Sequence, residues 1–163
     1  MGRAKAGLRL GRCTLLGHAR ALAAELGLPC RVQTQDDTPS QGPLGGVATA
    51  LRRAQVERVL FLGCDMPFLT ADFTRRILAV EAEAVFASVK GTVGFPFVLS
   101  PVVLPKVEAQ LTAGRRSLQR LATRLRARRI RVLATEAAQL QNLNTPADLA
   151  AARKTVACVG VGF

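Results

Sequence analysis

The run Val59-Leu60-Phe61-Leu62 carries no polar residue, the pattern of a short strand buried on both faces. Gly63 and Pro67 close it, since proline cannot donate to a ladder. Upstream, residues 15–28 place Ala19, Leu22, Ala23 and Leu26 on one helical stripe that Gly27 and Pro29 stop. A short strand over 30–34 and a helix over 47–54 follow. Thr70 caps a helix reaching about residue 81, with Asp72 favourably placed in its first turn. Strands over 84–89 and 93–99 flank Lys90-Gly91-Thr92, and Pro96 confines the second to an edge or a bulge. A helix over 101–113, with Pro105 in its opening turn, ends at Gly114. Leu118, Leu121 and Leu125 then form an apolar stripe. Arg115, Arg116, Arg120, Arg124, Arg126, Arg128, Arg129 and Arg131 take the other face of that segment. The pattern closes with a strand over 130–134, a helix begun by Thr145-Pro146, and a strand-like stretch over 154–163 with no assigned role.

The length of 163 residues suits one domain over 1–163, with 154–163 as an unassigned tail. Apolar content near half, without a run of about 18 apolar residues, argues for a soluble protein and no membrane partner. A charged N-terminus lacking an apolar core segment is not a signal peptide, so a cytoplasmic location is expected. Cys13, Cys30, Cys64 and Cys158 lack C-x-x-C spacing and the chain has one histidine, His18, so a zinc site is not expected and reduced thiols are. His18, inside the first helix, reads as packed or exposed rather than catalytic. The net charge of +12 has two explanations: a GC-biased, arginine-rich coding sequence, or an anionic partner. Few aromatics and no recognisable RNA- or DNA-binding motif favour nucleotide or phosphorylated cofactor over nucleic acid.

Asp65 is the first candidate for chemistry, a carboxylate at the C-terminal mouth of a buried strand, where open α/β sheets bind ligands. It can hold a hard cation such as Mg²⁺ beside phosphates, or simply cap the turn before Pro67. Asp36 lies in Asp36-Asp37-Thr38-Pro39-Ser40, whose carboxylates can accept hydrogen bonds and whose composition is also that of an ordinary turn. Gly42, Pro43, Leu44 and Gly45 form a loop–helix junction that permits close backbone approach to a ligand, or serves packing alone.

Three stretches carry a resemblance. Gly63-Cys64-Asp65-Met66-Pro67-Phe68 resembles the metal-binding signature of the molybdenum cofactor guanylyltransferases and related molybdopterin nucleotidyltransferases. Gln41-Gly42-Pro43-Leu44-Gly45-Gly46 and Asn142-Leu143-Asn144-Thr145-Pro146-Ala147-Asp148-Leu149 match further motifs, in the family's order. The resemblance implies a Rossmann-like three-layer α/β/α fold with a mostly parallel sheet, of the nucleotide-diphospho-sugar-transferase kind. It implies an enzyme joining GMP from GTP to molybdopterin cofactor, with release of pyrophosphate. Asp65 would be catalytic and bind Mg²⁺, and Lys5 would be catalytic and neutralise the triphosphate. Asp36, Gly42, Pro43, Leu44 and Gly45 would bind nucleotide. Arg115 and Arg116, in a stretch like the family's pterin-side segment, and Asn142 and Asn144 would face the acceptor. A solvated arginine face, and helix capping for Asn144, are the plain alternatives.

Met1-Gly2 and Lys5 resemble the end of the family's phosphate loop, with Ala4 in the place of its aspartate; an exposed basic terminus is the plain reading. The resemblance implies a first strand and a Leu-Ala-Gly-Gly loop ahead of Met1. The 163-residue chain without them is expected to lack the first strand of the sheet, bind GTP poorly, turn over little and aggregate. Cytidylyl transfer, transfer by another NTP transferase of the same fold, and a non-catalytic cofactor binder remain open alternatives. Other cofactor-biosynthesis proteins are candidate partners, and the expected state is a monomer or weak oligomer.

Overall fold

A computed structural model describes the backbone of residues 5–34, 37 and 42–159, and side chains as far as residue 155. In chain order the elements are β1 (Arg9–Leu10), β2 (Cys13–Thr14), α1 (Leu15–Glu25), α2 (Pro43–Arg52), β3 (Val59–Phe61) and α3 (Ala71–Leu78). There follow β4 (Ala84–Val89), β5 (Thr92–Leu99), α4 (Leu104–Thr112), α5 (Leu118–Arg124), β6 (Arg128–Arg131) and α6 (Pro146–Val159). The chain divides into two compact units: Met1–Cys30 with Leu62–Phe73 and Ala134–Phe163, and Arg31–Phe61 with Thr74–Leu133. No described helix is long and apolar enough to cross a membrane.

The second unit is a mixed four-stranded sheet flanked by helices, in the order β3-β5-β4-β6. Residues Val59 and Ala84 both lie opposite Leu99, so β5 runs against its two neighbours, while β6 runs parallel to β4. Strands β3, β4 and β6 therefore share one direction, as expected, yet only the β4–β6 ladder is parallel. The cause is local. Val89 pairs directly with Thr92, and the intervening Lys90 and Gly91 have φ of 48° and 84°, the paired left-handed conformation of a two-residue hairpin turn. Such a turn can only return the chain antiparallel.

Pro96 sits in the central strand rather than at an edge, and the sheet accommodates it as a bulge. Phe86 pairs with Phe97 and Ala87 with Gly94, leaving Phe95 and Pro96 outside the ladder where no N–H is required. Around β5 the rings of Phe61 and Phe86 stack on Phe97 at centroid distances of 4.9 and 4.7 Å. Leu44, Val47 and Leu51 of α2, Val107 of α4 and Leu121 of α5 complete this core.

In the first unit, Leu10, Leu15, Leu143, Leu149 and Ala152 form a separate small core, with Leu8 and Phe68 against it. Thr14 caps α1 by accepting from the Gly17 N–H at 3.0 Å. His18 places Nε2 2.9 Å from the Leu10 carbonyl, a packing role open to the tautomer protonated at Nε2.

Several element boundaries differ from the pattern reading. Residues 30–34 are exposed and form no strand. Helix α2 begins at Pro43 rather than 47, because Gly42, at φ 62°, is its cap and proline suits the first helical position. The arginine-dense stretch is not one helix. Arg126 at φ 50° turns the chain from α5 straight into β6, which starts ahead of the expected residue 130. The strand-like stretch over 154–163, which had no assigned role, is helical through Val159 as the end of α6. A helix already nucleated from Pro146 continues, with Thr155 Oγ donating to the Ala151 carbonyl at 3.3 Å.

Phe97→Ala removes the ring on which Phe61 and Phe86 both stack, and is expected to cost about 3–5 kcal/mol of stability. Urea unfolding measures this, and a loss below about 1 kcal/mol would show that the stack is not the centre of this core.

Candidate functional site

The first unit gathers three of the sequence-predicted residues at one point. Lys5, in a 3-10 turn spanning Lys5–Gly7, donates from Nζ to Asp65 Oδ2 at 3.1 Å and to Asn144 Oδ1 at 2.7 Å. These residues come from widely separated parts of the chain, and the backbone explains the meeting. The Leu143 N–H donates to the Asp65 carbonyl at 2.9 Å, stitching the Asn-Leu-Asn motif to the turn after β3. Leu143 is fully buried in the small core, while Asn142 and Asn144 on either side are exposed. The alternation fastens the backbone and leaves an amide free to reach Lys5.

Position 144 is held again from the helix side. Asp148 accepts the N–H groups of Asn144 and Thr145 at 2.9 and 2.7 Å, and Thr145 Oγ accepts the Asp148 N–H at 3.1 Å. This reciprocal capping box at the start of α6 is legible in Thr-Pro-Ala-Asp. The Thr145 backbone and side-chain donors, then Asn144 and Lys5, hold the Asp148 carboxyl below its ordinary range.

The Lys5–Asp65 pair is only part-exposed, with 18% and 28% of the two side chains accessible. Its oxygens already hold a cation, the Lys5 ammonium, and a carboxylate plus an amide carbonyl are hard donors of the kind Mg²⁺ accepts. Among the described residues no group of three or more His, Cys, Asp or Glu could cage a metal. Mg²⁺ at phosphates does not require one, since it is commonly held by one or two carboxylates with water and substrate oxygens. The donor set fits Mg²⁺ in that manner. Next to Asp65, burial and the Asp65 charge push the Cys64 thiol up, which keeps it protonated and a poor nucleophile.

Other candidates are placed differently. Asn142 makes no hydrogen bond to Lys5 or Asp65 among the described residues. In the second unit, Gly42 and Pro43 are exposed at the start of α2, and Leu44 and Gly45 are buried beneath them. Arg115 and Arg116 are exposed in the turn between α4 and α5. Asp36, with Met1, Gly2 and Ala4, lies outside the described residues.

Its neighbour Asp37 was not singled out from the sequence, yet its N–H donates to Thr49 Oγ at 3.0 Å. Arg52 and Arg53 donate to the two carboxylate oxygens of Asp37 at 2.8 and 2.5 Å. Arg52, chiefly, holds the Asp37 carboxyl below its usual range. Arg52 also bonds Glu108 at 2.8 Å, linking α2 to α4. No local spacing signals these contacts, because Asp37, Arg52 and Glu108 meet only in the folded unit.

The Asp148 capping box has a pH signature. Its carboxyl is depressed below 3.8, so its stabilising contribution is present above that value and is lost as the pH falls through the folded-state value. Wild-type protein is expected to lose more Tm between pH 5 and pH 2 than Asp148→Asn, which retains an acceptor but no titration. Identical acid profiles for the two proteins would remove Asp148 as an ionised cap.

The profile of the MobA-like NTP transferase domain matches residues 19–130, a span that includes Asp65 and excludes Lys5 and Asn144. A probable molybdenum cofactor guanylyltransferase of Deinococcus radiodurans is 32% identical over 120 residues, covering 71% of this chain and 61% of the relative. A molybdenum cofactor guanylyltransferase of Ectopseudomonas mendocina is 35% identical over 121 residues, covering 73% and 60%. The chain thus spans about three fifths of the length of these curated relatives. Among solved structures, molybdopterin-guanine dinucleotide biosynthesis protein A of Archaeoglobus fulgidus superposes with TM-score 0.71 at 16% identity, covering 98% of this chain and 93% of that one. The 2-C-methyl-D-erythritol 4-phosphate cytidylyltransferase of Thermus thermophilus gives TM-score 0.69 at 17% identity, covering 94% and 93%. At these identities the superpositions show the fold, that of the nucleotidyltransferases. With the profile matched over most of its length, the chain belongs to the MobA-like NTP transferase family.

Proposed function

We propose that this chain moves GMP from GTP to the terminal phosphate of molybdopterin cofactor and releases pyrophosphate. The observation that carries the proposal is the convergence of Asp65 and Asn144 oxygens on one cation position, which the Lys5 ammonium occupies. A phosphate oxygen of the acceptor bonds to the α-phosphorus of GTP as the bond from that phosphorus to the bridging oxygen of the β-phosphate breaks. The attacking phosphate is ionised near neutral pH, so no general base is required. The chain's task is positioning and charge neutralisation.

Lys5 neutralises phosphate charge with a compact ammonium. Asp65 and Asn144 hold Lys5 in place and offer the oxygens for Mg²⁺. When bound, that ion supplies Lewis-acid stabilisation of charge on the phosphates. Asp36 accepts from guanosine, and Gly42, Pro43, Leu44 and Gly45 let backbone approach the nucleotide. Asn142 contributes to the acceptor side, and Arg115 and Arg116 pair with the acceptor phosphate. The setting we propose is the cytoplasm.

Asp65→Asn retains shape and loses one charge, and is expected to reduce GMP transfer by several kcal/mol of transition-state stabilisation, about a hundredfold or more, with Tm little changed. Assays with [α-³²P]GTP across a Mg²⁺ titration test this. Wild-type rates with unaltered Mg²⁺ dependence would take Asp65 out of the reaction.

The arginine pair makes its own prediction. A charge-assisted hydrogen bond is worth about 1.5–3 kcal/mol, so Arg115→Ala with Arg116→Ala should weaken molybdopterin binding at least roughly tenfold and leave GTP binding intact. Calorimetric titration with each ligand separates the two, and equal molybdopterin affinity would return these arginines to the solvated surface.

A further inference from the structure

Gln110 occupies a core position with a polar side chain. On α4 and the turn before it, Val103, Val107 and Gln110 fall at i, i+4 and i+7 on the inward face, and all three are 1% exposed or less. An aliphatic residue would fill such a position with no partner to satisfy. An amide buried there is unfavourable unless it is hydrogen-bonded.

The side chain and the backbone of Gln110 both reach the same turn. Its Nε2 donates to the Ser117 carbonyl at 3.0 Å, and its own backbone carbonyl accepts the Arg115 N–H at 3.0 Å. Gly114, at φ 67°, turns the chain out of α4, and Ser117 Oγ then caps α5 by accepting the Arg120 N–H at 3.3 Å. The turn is thus fastened on both sides of Arg115 and Arg116. Both arginines are exposed, and neither forms an ion pair among the described residues.

We propose that Gln110 is a positioning residue for the acceptor, holding the Arg115-Arg116 turn in one conformation so that the guanidinium groups meet a phosphate monoester. The inference rests on the reading of Arg115 and Arg116 given under Proposed function. Its physical basis is preorganisation: a turn already ordered does not lose that freedom when the anion binds. A buried polar residue retained where a leucine would pack has its value in geometry rather than in stability.

The test is Gln110→Leu, with Gln110→Met as a second variant should the first fail to fold. Each is titrated with molybdopterin and with GTP, alone and combined with Arg115→Ala plus Arg116→Ala. The expected result is a Tm equal to or above wild type, unchanged GTP affinity, and roughly three- to tenfold weaker molybdopterin binding. In the double-alanine background the Gln110 change should add nothing, because it acts through the arginines. Wild-type molybdopterin affinity in Gln110→Leu, or parallel losses for both ligands, would overturn the inference. So would a further loss in the double-alanine background. If the double-alanine variant itself binds molybdopterin like wild type, the acceptor reading of the arginines fails and the role of Gln110 falls with it.

Discussion

The hydrogen bond from the Leu143 N–H to the Asp65 carbonyl governs the candidate site. It joins two backbone segments that the chain separates widely, and it is protected because Leu143 is fully buried beside Leu10, Leu15 and Leu149. With the backbone pinned at 143, Asn144 has little choice of direction, and the Thr145–Asp148 capping box removes most of what remains. Lys5 then finds two acceptors at once. A lysine offered only a mobile surface carboxylate would form a pair worth little. Here the backbone carrying both acceptors is fixed by bonds that do not involve Lys5, a condition under which a charged group can be aimed at phosphates.

A different constraint shapes the sheet. The two-residue turn at Lys90-Gly91 commits β5 to run against β4, and the resulting strand order sets Phe97 between Phe61 and Phe86. Once Phe97 is central, Pro96 must be tolerated in the middle of the sheet, and the bulge provides for it. Helices α2 and α4 pack on this core through Leu44, Val47, Leu51 and Val107, and they carry the exposed features of interest: the Gly42-Pro43 cap and the Arg115-Arg116 turn. Rigid packing beneath exposed loops is the usual way a scaffold holds a binding surface.

The charge of +12 resolves into unlike parts. Arg58 is spent internally, donating to the carbonyls of Leu78, the last residue of α3, and of Val80 beyond it. Arg52 and Arg53 clamp Asp37. Arg115 and Arg116 stand out in solvent without an acidic partner among the described residues. The total charge therefore says less about an anionic ligand than the placement of those last two.

Local chemistry in the chain was enough for several features. The strand over Val59–Phe61 (half-buried at the sheet edge rather than buried on both faces), the Lys90-Gly91 turn, the Thr70 and Thr145 helix starts and the glycine stop at 114 all depend on neighbours in sequence. Near-neighbour physics acts the same way in any fold, whereas the motifs around Asp65 and Asn144 were readable only through their resemblance to the family. What tertiary structure decided depends on residues far apart. Residues 30–34 have strand-like composition yet form no strand, and the strand-like stretch after 154 is helical through Val159, propagating from Pro146. The meeting of Lys5 with Asp65 and Asn144, the Asp37–Arg52–Glu108 chain of ion pairs and the buried amide of Gln110 have no periodic signature. Each exists because packing brings the partners within hydrogen-bonding distance, and packing is a property of the whole unit, not of any one segment.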